Sequence, residues 1–141
     1  MSDIIELSRS LFGAVGAFAM IVDHDTGELV LDAVSGAGEW CSLGSRFRPG
    51  SSVTARVAST GRPILVDDLE WVGRFAEEPM SPAGYVPSSI MAAPLLRGGV
   101  CLGVIVVLDR DCRPGESRRD LGLLVLLADR AALSLSERLH V

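Results

Sequence analysis

Residues 88–110 read SSIMAAPLLRGGVCLGVIVVLDR, two apolar runs joined by a pair of glycines. Ser89–Leu96 and Leu102–Asp109 have the composition of strands. Gly98 and Gly99 between them can take the positive φ angles that a tight primed turn demands, so the stretch is expected to be a β-hairpin. Val104–Leu108 is apolar at every position, which places it at the centre of a sheet with both faces covered. The longest apolar run, Val100–Leu108, falls far short of the roughly 20 residues a helix needs to cross a bilayer, and reads as a buried strand.

Working toward the N-terminus, Ile64–Val66 is a short strand, preceded by a helix over Ser51–Thr60 that Gly61 ends at C′ and Pro63 follows. Ser35–Pro49 is rich in Gly and Ser and shows no period, so it is expected to be loop. Ala17–Val22 is apolar on both faces, Asp23–Gly27 is a turn, and Glu28–Val34 is the partner strand of a first hairpin. Ile4, Ile5, Leu7, Leu11 and Phe12 mark a short amphipathic helix over Asp3–Phe12. After the short strand, Asp67 and Asp68 are expected to accept hydrogen bonds from the first N–H groups of a helical turn rather than to act catalytically. Trp71–Pro87 is irregular and gathers Trp71, Phe75 and Tyr85 with three prolines.

Toward the C-terminus, Ser117 is expected at an N-cap, with Asp120 three residues on in a variant capping box, and a long helix runs from Arg118 toward Leu139. Leu121, Leu124, Val125, Ala128, Ala132, Leu135 and Leu139 form one stripe. Leu123, Leu126, Leu127 and Leu133 widen it beyond what one sheet face can bury, and two explanations stand: a core helix with some exposed leucine, or a helix that also packs on its twin in a homodimer. The order of elements lacks the βα alternation of a parallel sheet, so the expected class is α+β, an antiparallel sheet with helices on one face.

Composition sets the outer limits. A chain of 141 residues with 48% hydrophobic content fits one domain spanning 1–141. The net charge is -5, every basic residue is Arg, and no basic stripe exists to follow a phosphate backbone, which argues against nucleic acid as a partner. Met1–Ser10 carries Asp3 and Glu6 and has no secretory pattern; the expectation is a cytoplasmic protein without membrane partners. Cys41, Cys101 and Cys112 form no CxxC pair, and His24 and His140 are the only histidines, so neither structural disulfides nor a metal site is expected.

In this order and spacing, TGRPILVDDL (60–69), SSIMAAPLLRGGVCLGVIVVLDR (88–110) and SRRDLGLLVLLADRAALSLSE (117–137) resemble the segments of a GAF domain, and the resemblance extends from about Ile4 to Leu139. It implies a PAS-related antiparallel sheet of five to six strands, with the terminal helices on one face and a ligand pocket roofed by irregular segments on the other. The pocket residues it implies are Trp71, Arg74, Phe75, Tyr85, Ser89 and Met91; alternatively the aromatics only fill space under a long loop. The implied role is a regulatory sensor in signal transduction or transcriptional control. Its partners would be an unidentified small-molecule ligand, a second copy meeting at Leu123, Leu126, Leu127 and Leu133, and an output domain or partner protein. A ligand-free dimerisation or protein-interaction module is the alternative.

Several subtypes fit poorly, and no cofactor is expected. The Asn-Lys, Phe, Asp-Glu motif of many cyclic-nucleotide binders needs a lysine, and the chain has none; RFAEE (74–78) has the wrong spacing. Gly84 stands where haem-binding members place an axial histidine, and no cysteine between Trp71 and Pro87 could attach a bilin. Free methionine-(R)-sulfoxide reductases resemble this fold and attack the sulfoxide with cysteine thiolates. Here Thr54 and Ala83 stand at two of their cysteine positions, and Cys41 falls near a third. Cys101 in a strand and Cys112 beside Asp109 and Asp111 do not look activated, so no catalytic residue is assigned.

Overall fold

The structure, a computed structural model, describes residues 1–36, 42–48, 50, 52–67, 87–111 and 115–139. Six strands, β1 (Gly16–Val22), β2 (Leu29–Gly36), β3 (Arg46–Phe47), β4 (Ile64–Val66), β5 (Ile90–Arg97) and β6 (Val100–Leu108), form one sheet in the order β3-β2-β1-β6-β5-β4. Every neighbouring pair is antiparallel. The helices are α1 (Ser2–Leu11), α2 (Val53–Thr60) and α3 (Ser117–Leu139). The α+β class and both expected hairpins are present, and β1 and β6 lie side by side at the centre.

Period-two alternation sorts the strand residues between two cores. Ala17, Ala19, Ala33, Met91, Ala93, Leu95, Ile105 and Val107 face α1 and α3. Phe18, Met20, Leu29, Leu31, Ile90, Ala92, Val104, Val106 and Leu108 face the side of α2. The alanines explain why the long helix sits there: α3 packs chiefly on β5 through its own Ala128, Ala131 and Ala132, and small residues on both surfaces let the helix backbone approach the sheet closely. Both edge strands are short, which limits pairing with other chains. Pro94, lacking an N–H, is tolerated in β5 because β4 ends at Ile64 opposite Ala92 and leaves that stretch unpaired on one side.

Three glycines are required by the backbone path. Gly98 and Gly99, at φ 57° and 80°, make the turn between β5 and β6. At Gly103 a Cβ would overlap the carbonyl oxygen of Met20, so β1 and β6 can meet only if that position is bare.

Three local expectations need correction. Ser35 and Gly36 continue β2, and Arg46–Phe47 pairs with Val30 and Leu29, where pure loop was expected. A two-residue strand has no period to read, and it is fixed by Arg46, whose Nη1 lies 2.8 Å from Asp23 and 3.1 Å from Glu28. Ser117 lies inside the first turn of α3 rather than at its N-cap, since the Asp120 N–H donates to the Glu116 carbonyl. Asp67 caps no helix among the described residues; its carboxylate accepts hydrogen bonds from Arg110 and Ser117. Asp68 lies outside the described residues. No helix among the described residues is long and apolar enough to cross a membrane.

Candidate functional site

The face of the sheet opposite α1 and α3 is the candidate site. Helix α2 crosses it, fixed at both ends by local chemistry. The Ser52 hydroxyl accepts the Ala55 N–H at 3.0 Å, and Gly61, in the left-handed region at φ 69°, donates its N–H to Val57. Val53, Ala55 and Val57 are buried against β5 and β6, and Thr54 is also buried. Toward the turn end of the β1–β2 hairpin the packing opens into an apolar cavity of about 140 Å³, lined by Val22, Gly27, Leu29, Ala55, Ala58 and Ser59. Elsewhere Phe18, Met20, Leu31, Ile90 and Leu108 are fully buried on this face.

A larger hollow of about 390 Å³ lies on the other side of the molecule, between the end of α1 and the start of α3. Its lining includes Leu11, Gly13, Asp111, Glu116, Arg119 and Asp120. Three carboxylates against one arginine give it a polar, net acidic character. Ligand pockets are mainly apolar with a few convergent polar groups and hold roughly 300 Å³ or more; the smaller cavity has that chemistry at less than that volume.

Between the faces, at the end of β6, Asp109 and Arg110 form a node. Asp109 has φ 50°, and its Oδ1 accepts the N–H groups of Ser88 (2.6 Å) and Ser89 (2.9 Å). The Arg110 side chain is 2% exposed; its Nη2 donates to Asp67 Oδ2 at 3.0 Å and to the Ser117 hydroxyl at 3.1 Å, while Nε lies 3.5 Å from Asp120. Two consecutive residues thus tie the chain after β4, the chain before β5 and the first turn of α3 to one point. Sequence reading missed this node. An Asp directly after a strand was the available signal, because Asp tolerates the left-handed region, but its distant partners leave no local trace.

The expected pocket residues fare differently. Trp71, Arg74, Phe75 and Tyr85 lie outside the described residues. Ser89 is buried just before β5, held through its N–H by Asp109. Met91 points away from the pocket face: it belongs to the core under α1 and α3, because its neighbours Ile90 and Ala92 take the α2 side and adjacent positions on a strand cannot share a face. Of the helix leucines, Leu126 is 65% and Leu133 37% exposed, whereas Leu123 and Leu127 rest partly on the core. The described residues contain no group of three or more His, Cys, Asp or Glu placed to hold a metal ion.

Cys101, within a run expected to be a buried strand, is only half-buried. Burial pushes its thiol pKa up, opposed by hydrogen bonds to the backbone of Gly103 and Leu95. Arg46 lowers the pKa of Asp23 through their hydrogen bond, and Asp23 in turn raises that of Arg46.

The sequence profile of the GAF domain matches residues 1–135. The fold is similar to the GAF domain of A. aeolicus nlh2 in an inactive state, with TM-score 0.79 and 16% identity over 97% of this chain and 83% of that one. It is similar to the GAF-B domain of DevS from Mycobacterium smegmatis, with TM-score 0.73 and 19% identity over 99% and 96%. It is also similar to a free methionine-R-sulfoxide reductase from Neisseria meningitidis bound to its substrate, with TM-score 0.70 and 19% identity over 97% and 77%. No curated protein sequence matches the chain significantly.

Proposed function

The chain belongs to the GAF domain family, and on that premise we propose that it is a regulatory sensor domain: a small molecule occupies the α2 face, and two copies meet through the helix face. The observation that carries the reading is the division of one sheet into unlike faces. Alanine-rich packing seats α3 on one side, and on the other an apolar cavity lies beside α2.

Exposed leucines support the second half of the proposal. Leu7 and Leu11 of α1 are each 53% exposed, and Leu126 and Leu133 of α3 add to the same helical layer. Apolar surface concentrated in this way is typical of an interface. A second reading, a ligand-free dimerisation module, draws on a different observation: Phe18, Met20 and Leu31 already fill much of the α2 face.

No catalytic role is proposed. The sequence resemblance sets Thr54, which is buried, at one cysteine position of the reductases, and Cys101, the one cysteine among the described residues, has a raised thiol pKa. The expected result with free methionine-(R)-sulfoxide and a thiol reductant is no turnover; turnover lost on Cys41→Ser would refute a purely regulatory role.

A thermal-shift screen over metabolites separates the two binding readings. A ligand at 100 times its Kd should add about 2.7 kcal/mol of stability, and Ala58→Phe, which fills the cavity, should abolish the shift. A flat response throughout favours the ligand-free module. Light scattering at micromolar protein should return a dimer mass, and a monomer mass would remove the pairing.

A further inference from the structure

The face of α3 turned away from the sheet carries Arg119, Leu123, Leu126, Arg130, Leu133 and Glu137, spaced alternately by four and three residues; all are exposed except Leu123, which is half-buried. That is the spacing of a helix–helix seam. It lies opposite Leu124, Ala128, Ala131 and Leu135, which are buried on the sheet. The seam has a symmetry of its own about the level of Ala128. Arg119 and Glu137 lie nine residues before and after it, Leu123 and Leu133 five, and Leu126 and Arg130 two.

From this pattern the geometry points to an antiparallel pairing of α3 with α3 of a second copy, about a two-fold axis at the level of Ala128; the inference rests on the dimer reading above and adds its orientation. In that register Arg119 meets Glu137 of the other copy at both ends. Leu123 packs on Leu133 in two equivalent layers, and Leu126 lies along the aliphatic stem of Arg130, whose charged head reaches water. A parallel pair in register would instead place Arg119 on Arg119, Arg130 on Arg130 and Glu137 on Glu137. Like charges at facing positions oppose association, so charge selects the antiparallel arrangement. Arg119 has little to lose in the exchange: its contact with Glu116 is 3.9 Å long, and its side chain is 73% exposed. Leu11 of α1 lines the same hollow as Leu123, among its polar and acidic groups.

The test is disulfide trapping in the full chain with Cys41, Cys101 and Cys112 replaced by serine. Leu123→Cys and Leu133→Cys are made separately, then mixed and oxidised. Antiparallel pairing sets Leu123 about 15 Å along the axis from its own counterpart, beyond the roughly 7 Å Cα separation a disulfide tolerates. Each variant alone should therefore stay unlinked, while the mixture forms a covalent dimer of one chain of each kind. Self-linking of each variant alone would establish a parallel pair and overturn the orientation while leaving dimerisation intact. Absence of any cross-link with a dimer mass would move the interface elsewhere, and a monomer mass would end both claims. As an independent measurement, Arg119→Glu should weaken the dimer about tenfold at low salt, and Arg119→Glu/Glu137→Arg should restore it; an unchanged dissociation constant for the single variant contradicts the seam.

Discussion

Asp109 and Arg110 show how much of this domain depends on two side chains. A left-handed backbone costs an ordinary residue about 1–2 kcal/mol, and Asp109 offsets that cost by accepting two backbone N–H groups that otherwise lack it as a partner. Asp109→Ala should lower unfolding free energy in urea by about 2 kcal/mol, and Asp109→Asn by less because the acceptor survives. For Arg110, loss of the buried guanidinium leaves Asp67 and Asp120 without its charge, but Asp67 is 37% exposed and regains water, so Arg110→Ala should cost about 2 kcal/mol. Gly103→Ala should be as damaging for a purely steric reason, since the new methyl group meets the Met20 carbonyl rather than a movable side chain.

Cys101 supplies the pH test at this scale. Its folded-state pKa lies above the unfolded value, so the protonated thiol is favoured by folding. Its contribution is complete below the unfolded pKa and declines as pH rises from there through the folded pKa. In a Cys41→Ser/Cys112→Ser background, Cys101 should react with a thiol reagent more slowly in the folded protein than in urea at mildly alkaline pH. Equal rates would contradict the assigned environment.

At the scale of elements, α2 is defined by its ends. Ser52→Ala should destabilise by about 1 kcal/mol through loss of the cap, and Gly61→Ala by about 1–2 kcal/mol because alanine resists φ 69°; both are measurable by chemical unfolding. Ser52 was missed as the cap, the helix being expected from Ser51, but the Gly61 end was legible in the sequence because a C′ glycine is a local signal. So were the two hairpins, the central place of Val104–Leu108 and the antiparallel order, all of which follow from period and turn chemistry. What was not legible depends on distant partners. Arg46–Phe47 is a strand only because β2 lies beside it, Ser117 leaves its cap to reach Asp67, and Met91 was assigned to the pocket although parity with Ile90 places it under α3. Of the candidate site, the face could be read from strand period but the lining could not: Val22, Gly27, Leu29, Ala55, Ala58 and Ser59 come from two strands, the turn between them and α2, and share no motif.

For the whole molecule, the sheet acts as a partition. Large side chains such as Phe18, Met20 and Leu31 stand on one surface, and alanines that admit close-packed helices stand on the other. In the proposed reading a ligand sits on the first surface and a second copy meets the helices that cover the second, with the Asp109–Arg110 node joining the chain around β4 and β5 to the start of α3. Signalling requires that binding favour one arrangement of this network over another. Weakening the node while preserving the fold, for example with Ser117→Ala, should therefore reduce the effect of a bound ligand on dimer affinity more than it reduces ligand affinity itself, as read by sedimentation with and without ligand.

The most direct measurement is an amide NMR titration of the protein with compounds that raise its melting temperature. Shift changes should centre on Val22, Gly27, Leu29, Ala55, Ala58 and Ser59 and saturate together. Changes centred instead on Asp111, Glu116 and Arg119, or spectra that no compound alters, would contradict a receptor on the α2 face.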